Sequence, residues 1–312
     1  MLSSQIEGTQ SSLSDLMLFE LDEVPGVPFD DVVEVSNYVS ALEHGLARIR
    51  DGFPLSNRLV REVHGILLSR GRGQSKLPGE FRRSQNWIGG SRPGDARFVP
   101  PPPQQIEECM AQLERFLHDQ PAYTPPLVKA ALAHVQFETI HPFLDGNGRV
   151  GRLLIPMILC VEGVLHESLL YLSLYLKQNR TRYYEMLDRV RTQGEWEEWV
   201  MFFATGVEET ANAAVTTAQR LREISQADRT KVQGAGRIAG SALQVHQALL
   251  GRPVNTIARL AADTKLSVPT VTSSLAMLRE LGLVREITGR KRGRVFAYGP
   301  YLDVLQLGME PL

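Results

Sequence analysis

The sequence predicts a mainly helical protein of about two domains, with one β-hairpin inserted in the first domain. Apolar residues recur every three or four positions over most of the 312 residues, which is the spacing of a helix face packed on a core. A stretch rich in glycine and proline, residues 78–103, breaks this pattern and favours a hairpin. A polar, glycine-containing segment at 224–240 marks the predicted boundary between the two domains.

The predicted elements follow in chain order. Residues 9–21 indicate a loop and a short helix, and the further helices before the boundary are predicted at 30–50, 57–70, 104–118, 125–140, 150–161, 169–187 and 196–222. Pro156 lies inside one of these helices and removes a backbone hydrogen bond, so we expect a kink there. In the hairpin, residues 81–88 and 96–99 are expected to pair as strands around a Gly/Pro turn.

Composition excludes several classes of protein. A net charge of −1, with 43% hydrophobic and 22% charged residues, is ordinary for a globular protein and predicts no overall attraction to nucleic acid or membranes. Cys109 and Cys160 are the only cysteines, so neither a disulfide framework nor a thiolate zinc site is expected. The N-terminus lacks the charged flank and apolar run of a signal peptide, and the longest apolar run, 153–161, is too short for a membrane span. We therefore expect a cytoplasmic protein with no membrane partner.

Residues 141–152, His-Pro-Phe-Leu-Asp-Gly-Asn-Gly-Arg-Val-Gly-Arg, concentrate the polar chemistry between two apolar helices. Glycines at the start of the second helix expose backbone N–H groups, which bind anions. Arg149 and Arg152 share one helix face and suit a polyphosphate. Asp145 is a hard oxygen ligand for Mg²⁺, and His141 can accept a proton near neutral pH. A base, a metal ligand and a phosphate cradle together predict phosphoryl or nucleotidyl transfer.

The same stretch resembles the Fic family signature, His-Pro-Phe-x-(Asp/Glu)-Gly-Asn-Gly-Arg-x-x-Arg, at every defined position. The resemblance implies a mainly helical Fic-type core that transfers AMP from ATP to a Ser, Thr or Tyr hydroxyl of a protein, including itself. It implies that His141 is the catalytic base, that Asp145 holds Mg²⁺, and that Phe143 is a core residue fixing the loop. The positions implied to contact the nucleotide are Asp145, Gly146, Asn147, Gly148, Arg149, Gly151 and Arg152, with Arg149 at the β-phosphate and Arg152 at the γ-phosphate.

Two further segments extend this resemblance. Ser3-x-x-x-Glu7-Gly8 is similar to the inhibitory helix of Fic proteins, in which the glutamate pairs with the second motif arginine, here Arg152, and blocks the γ-phosphate. A helix this short needs tertiary packing to be stable. Residues 80–100 resemble the Fic flap, a β-hairpin that covers the nucleotide and holds the target peptide by strand addition. The resemblance implies that the adenosine lies near Ile88, Gly89, Gly90, Ser91 and Asn179, with Tyr183 and Tyr184 either lining that pocket or packing.

Beyond the boundary the pattern predicts a winged helix, with helices at 242–250, 256–262 and 268–281 and strands at 283–287 and 295–298. Residues 240–312 hold nine Lys/Arg and five Asp/Glu, a net charge of +4. Basic residues of the wing are Arg290, Lys291, Arg292 and Arg294, and the third helix is expected to present Thr270, Thr272, Ser273 and Ser274. Because that helix offers no Arg, Asn or Gln in its first turns to read bases, both DNA and a protein are candidate partners.

We therefore divide the chain into an N-terminal helical segment with the inhibitory motif (1–55), a Fic catalytic domain (56–223) and a winged-helix domain (240–312). The leading hypothesis is Mg²⁺-dependent AMP transfer from ATP to a target protein that docks on the flap, autoinhibited by Glu7. The alternatives are removal of AMP from a modified protein, transfer of another phosphate-containing group, and a DNA-binding regulator with a weakly active Fic domain. Related proteins often dimerise, so a homodimer is a further candidate assembly.

Overall fold

The computed structural model describes residues 2–21, 28–166, 170–290 and 292–307. The described residues form two compact units, the first from residues 2–11 and 28–211 and the second from residues 12–21 and 212–307, apart from the gaps just given. Lys291, predicted in the wing, lies outside the described residues. Within the four described ranges, no helix is both long enough and apolar enough to cross a membrane.

Helices account for most of the described chain, as predicted. They are α1 (Leu2–Ile6), α2 (Leu13–Phe19), α3 (Phe29–Arg50), α4 (Asn57–Leu67), α5 (Ile106–Leu117), α6 (Pro126–Ile140), α7 (Asn147–Val161), α8 (Leu172–Gln178), α9 (Arg180–Gln193), α10 (Trp196–Gln233), α11 (Ala239–Gly251), α12 (Ile257–Thr264), α13 (Val268–Glu280) and α14 (Gly299–Leu305). Short 3₁₀ turns occur at Pro93–Asp95, Pro103–Gln105 and Gly236–Ile238.

The core of the first unit is built around α6 and α7, which pack against each other. Both helices are buried along much of their length, since Ala130, Ala133 and Phe137 of α6 and Val150 and Leu154 of α7 are at most 1% exposed. Burial on nearly all sides explains why most side chains of these two helices are apolar. The loop that joins them therefore sits on a rigid support, and this loop carries the residues singled out from the sequence.

The segments predicted as strands, 81–88 and 96–99, do pair in antiparallel fashion around the Gly/Pro turn, but over much less than the predicted length. Across the described residues, this segment forms only one isolated bridge, between Ile88 and Phe98. Side chains of the first half, Arg82 and Asn86, hydrogen-bond instead to carbonyls of residues 140–143. The prolines at 100–103 have no N–H to donate to a ladder. The segment is thus an irregular flap attached to the loop between α6 and α7.

Two helix predictions also need correction. The helix predicted at 169–187 is interrupted at Asn179, which has φ −106° and ψ 33° and separates α8 from α9. The helix predicted at 196–222 continues as α10 to Gln233, into the expected boundary segment. It continues because Val232 is fully buried in the core of the second unit, so the later turns of α10 belong to that core.

The second unit is a winged helix, as predicted. Helices α11, α12 and α13 are followed by a three-stranded antiparallel sheet of order β1-β3-β2, with β1 (Val254–Thr256), β2 (Val284–Glu286) and β3 (Val295–Tyr298). The helix predicted to begin at residue 256 begins one residue later, because Val254–Thr256 pairs with β3. The expectation that Ser274 is presented outward is wrong, since Ser274 is fully buried and its hydroxyl donates to Ser241 Oγ at 3.0 Å.

The N-terminal helix α2 belongs to this second unit rather than to the N-terminal segment in which the sequence placed it. Its half-buried apolar side chains pack on one side of the sheet and on α14. The contacting residues are Leu13, Met17, Leu18 and Leu21, against Val254, Val295, Ala297 and Leu302.

Candidate active site

The loop between α6 and α7 is shaped by two residues in the left-handed backbone region. His141 ends α6 with φ 51° and ψ 59°, and its N–H donates to Phe137 O at 2.9 Å. Gly146 precedes α7 with φ 75°, a conformation that costs glycine little because it has no Cβ. The chain therefore turns sharply at both ends of the loop and points the first N–H groups of α7 toward the same space as the His141 side chain.

Buried polar contacts fix this loop from within. The Asn147 side chain accepts from Phe143 N–H and donates to Phe143 O, both at 2.8 Å. The fully buried Phe143 ring stacks on His64, with ring centroids 3.7 Å apart. His64 accepts from Gly79 N–H at 2.8 Å and donates from Nε2 to Asp145 O at 3.0 Å. Burial lowers the pKa of His64 to about 4, so it stays neutral and keeps this one arrangement.

The flap holds the loop from outside. The Arg82 side chain, in a residue only 2% exposed, donates from Nε to His141 O at 2.9 Å and from Nη2 to Pro101 O at 2.5 Å. Arg82 N–H donates to Pro142 O at 2.8 Å, and Asn86 Nδ2 donates to Phe143 O at 3.0 Å. One planar guanidinium thus connects the two ends of the flap to the backbone of His141.

His141 lies at the edge of a cavity of about 250 Å³. Burial, together with the nearby positive charges of Arg191 and Arg82, lowers the pKa of His141 to about 4. Its Nδ1 is 3.9 Å from Glu138 Oε2. Burial raises the pKa of Glu138 to about 7, against the opposing effect of Arg152 and Arg191. A neutral imidazole at the mouth of a cavity has the protonation state that a general base requires.

Glu7 occupies the anion-binding side of this cavity. Its Oε1 is 2.5 Å from Arg152 Nη2, and a Cβ on Gly148 would lie 2.6 Å from the same oxygen. The carboxylate therefore lies over the first turn of α7, where the absence of a side chain at Gly148 leaves room for it. Arg152 also donates from Nε to Ser3 Oγ at 2.7 Å and from Nη2 to Ser3 O at 3.1 Å.

Helix α1, which carries these contacts, is held by the first unit. All of its residues, Leu2 to Ile6, are buried. Gln5 accepts from Lys177 Nζ of α8 at 2.9 Å and donates to Ser11 O at 2.8 Å. Tertiary packing therefore stabilises a helix of only five residues, as the sequence required.

Arg149 faces three carboxylates from different parts of the first unit. Its Nη1 donates to Glu34 Oε1 at 2.7 Å, its Nε is 3.1 Å from Glu7 Oε2, and its Nη2 is 3.5 Å from Asp145 Oδ1. The Glu34 contact is buried, with 7% of that side chain exposed, whereas 40% of the Asp145 side chain is exposed.

A neutral pair lies behind Arg152. His134 donates from Nδ1 to Gly151 O at 2.9 Å, which leaves Nε2 to accept from the Tyr183 hydroxyl at 2.9 Å. Burial lowers the pKa of His134 to about 3 and raises that of Tyr183 well above its ordinary value, so both remain uncharged. His134 is thus a buried packing and hydrogen-bonding residue.

The structure brings most of the predicted site residues to one cavity. The predicted residues that line it are Glu7, Ile88, His141, Asp145, Gly146, Asn147, Gly148 and Arg152, joined by Tyr183 and Tyr184. Among the described residues, those lining the cavity do not include Arg149, Gly89, Gly90, Ser91, Gly151 or Asn179. Gly151 faces α6, where a Cβ would lie 2.6 Å from Glu138 Oε1. Asn179 donates to Tyr175 O at 3.0 Å, and Ser91 bonds to Asp95 within the flap.

Sequence reasoning missed several residues that shape the site. These are Glu34, His64, Arg82, Glu138 and Arg191. The sequence did mark Glu138, since it is the only carboxylate of a mostly apolar helix and stands three residues before His141. No sequence pattern marks Arg82 or Glu34 as a site residue, because their partners are distant in sequence.

Asp145 fits a magnesium ion that is bound together with a polyphosphate. Its Oδ1 accepts from Gly146 N–H at 2.6 Å, and the partly exposed carboxylate lines the cavity. Within the described ranges, no group of three or more His, Cys, Asp or Glu side chains could hold a metal ion by itself. Mg²⁺ commonly takes one or two protein carboxylates and completes its shell with phosphate oxygens and water. The donor set is therefore suited to a metal that arrives with its substrate.

Comparisons with known proteins agree with this geometry. The Fic/DOC family profile matches residues 54–159, the Fic/DOC family N-terminal profile matches residues 1–47, and the profile of bacterial regulatory proteins of the arsR family matches residues 242–286. The protein adenylyltransferase Fic of Drosophila yakuba is 30% identical over 219 residues, which are 69% of this chain and 41% of that protein. The Drosophila ananassae protein of the same name is 31% identical over 189 residues, 60% of this chain and 35% of that protein. The chain thus spans less than half the length of these curated relatives.

Solved structures show the same fold. A Fic family protein from Desulfovibrio desulfuricans G20 superposes with a TM-score of 0.60 at 21% identity, covering 95% of this chain and 84% of that one. Fic-1 from C. elegans superposes with a TM-score of 0.53 at 23% identity, covering 70% and 61%. The complete signature at 141–152, the two matching profiles and the shared fold lead to one conclusion. The chain belongs to the Fic/DOC family.

Proposed function

We propose that this protein is an adenylyltransferase that transfers AMP from ATP to a hydroxyl side chain of a protein, including its own. The observation that carries the proposal is one cavity lined by a neutral imidazole, an accessible carboxylate, a glycine-rich helix start and a buried arginine. The curated relatives named protein adenylyltransferase support the choice of AMP. The arrangement alone would suit any reaction at a polyphosphate.

In this proposal each residue has a distinct task. His141 takes the proton of the target hydroxyl, which attacks the α-phosphorus of ATP and displaces pyrophosphate. The N–H groups of the first turn of α7 hold the α-phosphate oxygens, while Arg149 and Arg152 bind the β- and γ-phosphates. Asp145 would hold Mg²⁺, which supplies charge neutralisation on the polyphosphate. The flap, fixed by Arg82, would present the target segment to His141.

Glu7 keeps the protein inactive in this proposal. Its carboxylate lies over Gly148 and pairs with Arg152, where we place the terminal phosphates of ATP. A carboxylate and a phosphate cannot share that position, because both need the same donors and their like charges repel. The same segment engages Arg152 through Ser3, so an active enzyme requires the departure of α1 or at least of the Glu7 side chain.

Intact-mass spectrometry after incubation with Mg²⁺ and ATP tests this function without a known target. We expect Glu7→Gly to gain about 329 Da per adenylate, the mass of an AMP residue, and the native chain to gain less, because Glu7 blocks the phosphate site. The variant Glu7→Gly/His141→Ala should gain none, since it lacks the base. No adduct on Glu7→Gly with ATP, but an adduct with another nucleotide, would mean that a different group is transferred.

Removal of AMP is the second candidate, because 28% of the Glu7 side chain is exposed in the same cavity, where it could orient a water. The test is to incubate a purified adenylylated protein with the native chain. The adenylylated protein carries His141→Ala, so it cannot modify itself again during the assay. Loss of the adenylate with the native chain, and none with Glu7→Gly, would support removal. Retention of the adenylate in both would exclude it.

For the second unit we propose binding to duplex DNA. The arsR-type match and the positions of Arg290, Arg292 and Arg294 in the wing favour it. Thr272 and Ser273 bond to carbonyls of their own helix, so phosphate contacts rather than base contacts are expected to dominate. Gel shifts should show an affinity that falls steeply with salt. Affinity for no duplex at low salt would leave protein docking as the role of this unit.

A further inference from the structure

The two arginines of the motif are held by different parts of the first unit. Arg152 is engaged by the N-terminal segment, through Ser3 and through the 2.5 Å contact with Glu7. Arg149 hydrogen-bonds to Glu34 of α3 at 2.7 Å. Its contact with Glu7 is an ion pair without hydrogen-bond alignment, since among the described residues Arg149 Nε has no hydrogen-bond partner. Departure of Glu7 would therefore free Arg152 but leave Arg149 attached to α3.

Glu34 is itself held in place by contacts other than Arg149. Its Oε2 is 3.0 Å from Arg72 Nη2, and its Oε1 accepts from Thr9 Oγ1 at 3.3 Å. Asp31, one turn earlier on α3, pairs with the same Arg72 nitrogen at 2.7 Å and accepts from Gln10 N–H at 2.9 Å. A buried carboxylate with this many partners keeps one rotamer, so it can fix the group that binds to it.

We propose that Glu34 is a positioning residue that aims Arg149 at the β-phosphate of the bound nucleotide; this inference rests on the proposed function. The guanidinium geometry supports it, because Glu34 takes only Nη1. The remaining nitrogens, Nε and Nη2, face Glu7 Oε2 and Asp145 Oδ1. Nε contacts the Glu7 carboxylate, so a phosphate that replaces Glu7 would receive that N–H group, and Nη2, beside Asp145, would be the second donor. Glu34 thus orients the fork by its third nitrogen and does not compete for the ligand.

Calorimetric titration with ADP and AMP in the presence of Mg²⁺ tests the inference in the Glu7→Gly background, where the phosphate site is open. ADP carries the β-phosphate, and AMP does not. We expect Glu34→Gln, which keeps the shape but removes the charge, to raise the Kd for ADP about tenfold and to leave the Kd for AMP unchanged. Glu34→Asp keeps the charge on a shorter side chain, so its Kd for ADP should lie between those of the Glu7→Gly background and of Glu34→Gln. It provides a second variant if Glu34→Gln is poorly folded.

Asp31→Asn is the matched control, because Asp31 shares Arg72 with Glu34 but none of its described contacts involves Arg149. It should leave the Kd for ADP within about twofold of the Glu7→Gly value. An unchanged Kd for ADP in Glu34→Gln would overturn the inference. A lower Kd would also overturn it, because it would show that Glu34 competes with ADP for Arg149. The inference would also be overturned if Asp31→Asn weakened ADP binding as much as Glu34→Gln does, or if Glu34→Gln weakened AMP binding as much as ADP binding. Either result would show a general loosening of the site. Failure of Glu7→Gly itself to bind ADP or ATP would refute the proposed function and, with it, this inference.

Discussion

At the scale of single residues, Gly151 shows how closely α6 and α7 approach behind the cavity. A Cβ at this position would lie 2.6 Å from Glu138 Oε1 and 3.3 Å from both His134 and Phe137. Glu138 and His134 are buried and cannot move into solvent, so Gly151→Ala should overpack the contact and lower the free energy of unfolding by about 1–3 kcal/mol. Urea unfolding of the chain would measure this loss.

Gly240→Ala provides the matched control for that measurement. Gly240 is an exposed position in α11, and a Cβ there would have no heavy atom within 4 Å. Alanine favours a helix over glycine by up to about 1 kcal/mol, so this variant should be as stable as the native chain or more so. If Gly151→Ala proved equally harmless, α6 and α7 would have more room between them than the distances indicate.

The protonation of His141 predicts the pH dependence of the reaction. Because burial lowers its pKa to about 4, the imidazole is neutral at all pH values well above 4, and the base form is lost only as the pH falls through about 4. The rate of self-modification by Glu7→Gly should therefore be nearly flat between about pH 6 and 8 on account of this group. An acid limb with its midpoint near the ordinary histidine value of about 6.5 would show instead that His141 is solvated in the working enzyme. Activity restored after return from pH 5 to 7.5 would exclude irreversible unfolding as the cause.

At the scale of elements, Arg82 is the side chain that connects both ends of the flap to the backbone of His141. Arg82 donates to the carbonyls of Ile140, His141, Ser84 and Pro101 through a planar fork. Lysine has a single ammonium group and cannot reach these acceptors together, so Arg82→Lys should leave buried carbonyls unpaired and cost about 2–3 kcal/mol. The same change should lower self-modification by Glu7→Gly, because His141 O is one of the carbonyls.

Arg83→Lys separates this effect from a general one. Arg83 is exposed and adjacent in the chain, so its replacement should change the free energy of unfolding by no more than about 0.5 kcal/mol. Thermal unfolding and the rate of self-modification, measured on both variants, would show whether the loss is specific to Arg82. Equal behaviour of the two variants would mean that the flap is held by other contacts.

The sequence predicted those elements whose signal is local. The helices around residues 141–152 follow from apolar periodicity, and the turn into α7 follows from Gly146, which directly precedes that helix. The flap strands were predicted too long because strand propensity does not show that Arg82 and Asn86 bind a loop nearly 60 residues away. Glu34 was missed for the same reason, since its partner Arg149 is 115 residues distant. Long-range pairs of buried charges leave no pattern in one sequence, whereas helix faces and caps do.

At the scale of the whole molecule, the first residues of the chain serve two units. Helix α1 belongs to the unit that holds the cavity, while α2, which starts seven residues after Ile6, belongs to the winged-helix unit. Deletion of residues 1–11 and deletion of residues 1–26 should both activate self-modification, because both remove Glu7. Only the longer deletion removes Leu13, Met17, Leu18 and Leu21 from the sheet and α14. It alone should destabilise the winged-helix unit, by about 3 kcal/mol for several half-buried side chains.

Hydrogen exchange at β1 and β3 would measure that destabilisation inside the full chain, since faster exchange there reports opening of the unit. Leu18→Asp tests the same contact with Glu7 in place. It should speed exchange in these strands without activating self-modification, because α1 keeps its own contacts: Ser3 with Arg152, and Gln5 with Lys177. Activation by Leu18→Asp would contradict this and would mean that the packing of α2 helps to retain Glu7. Either result would decide whether the segment that carries Glu7 is held by the first unit alone.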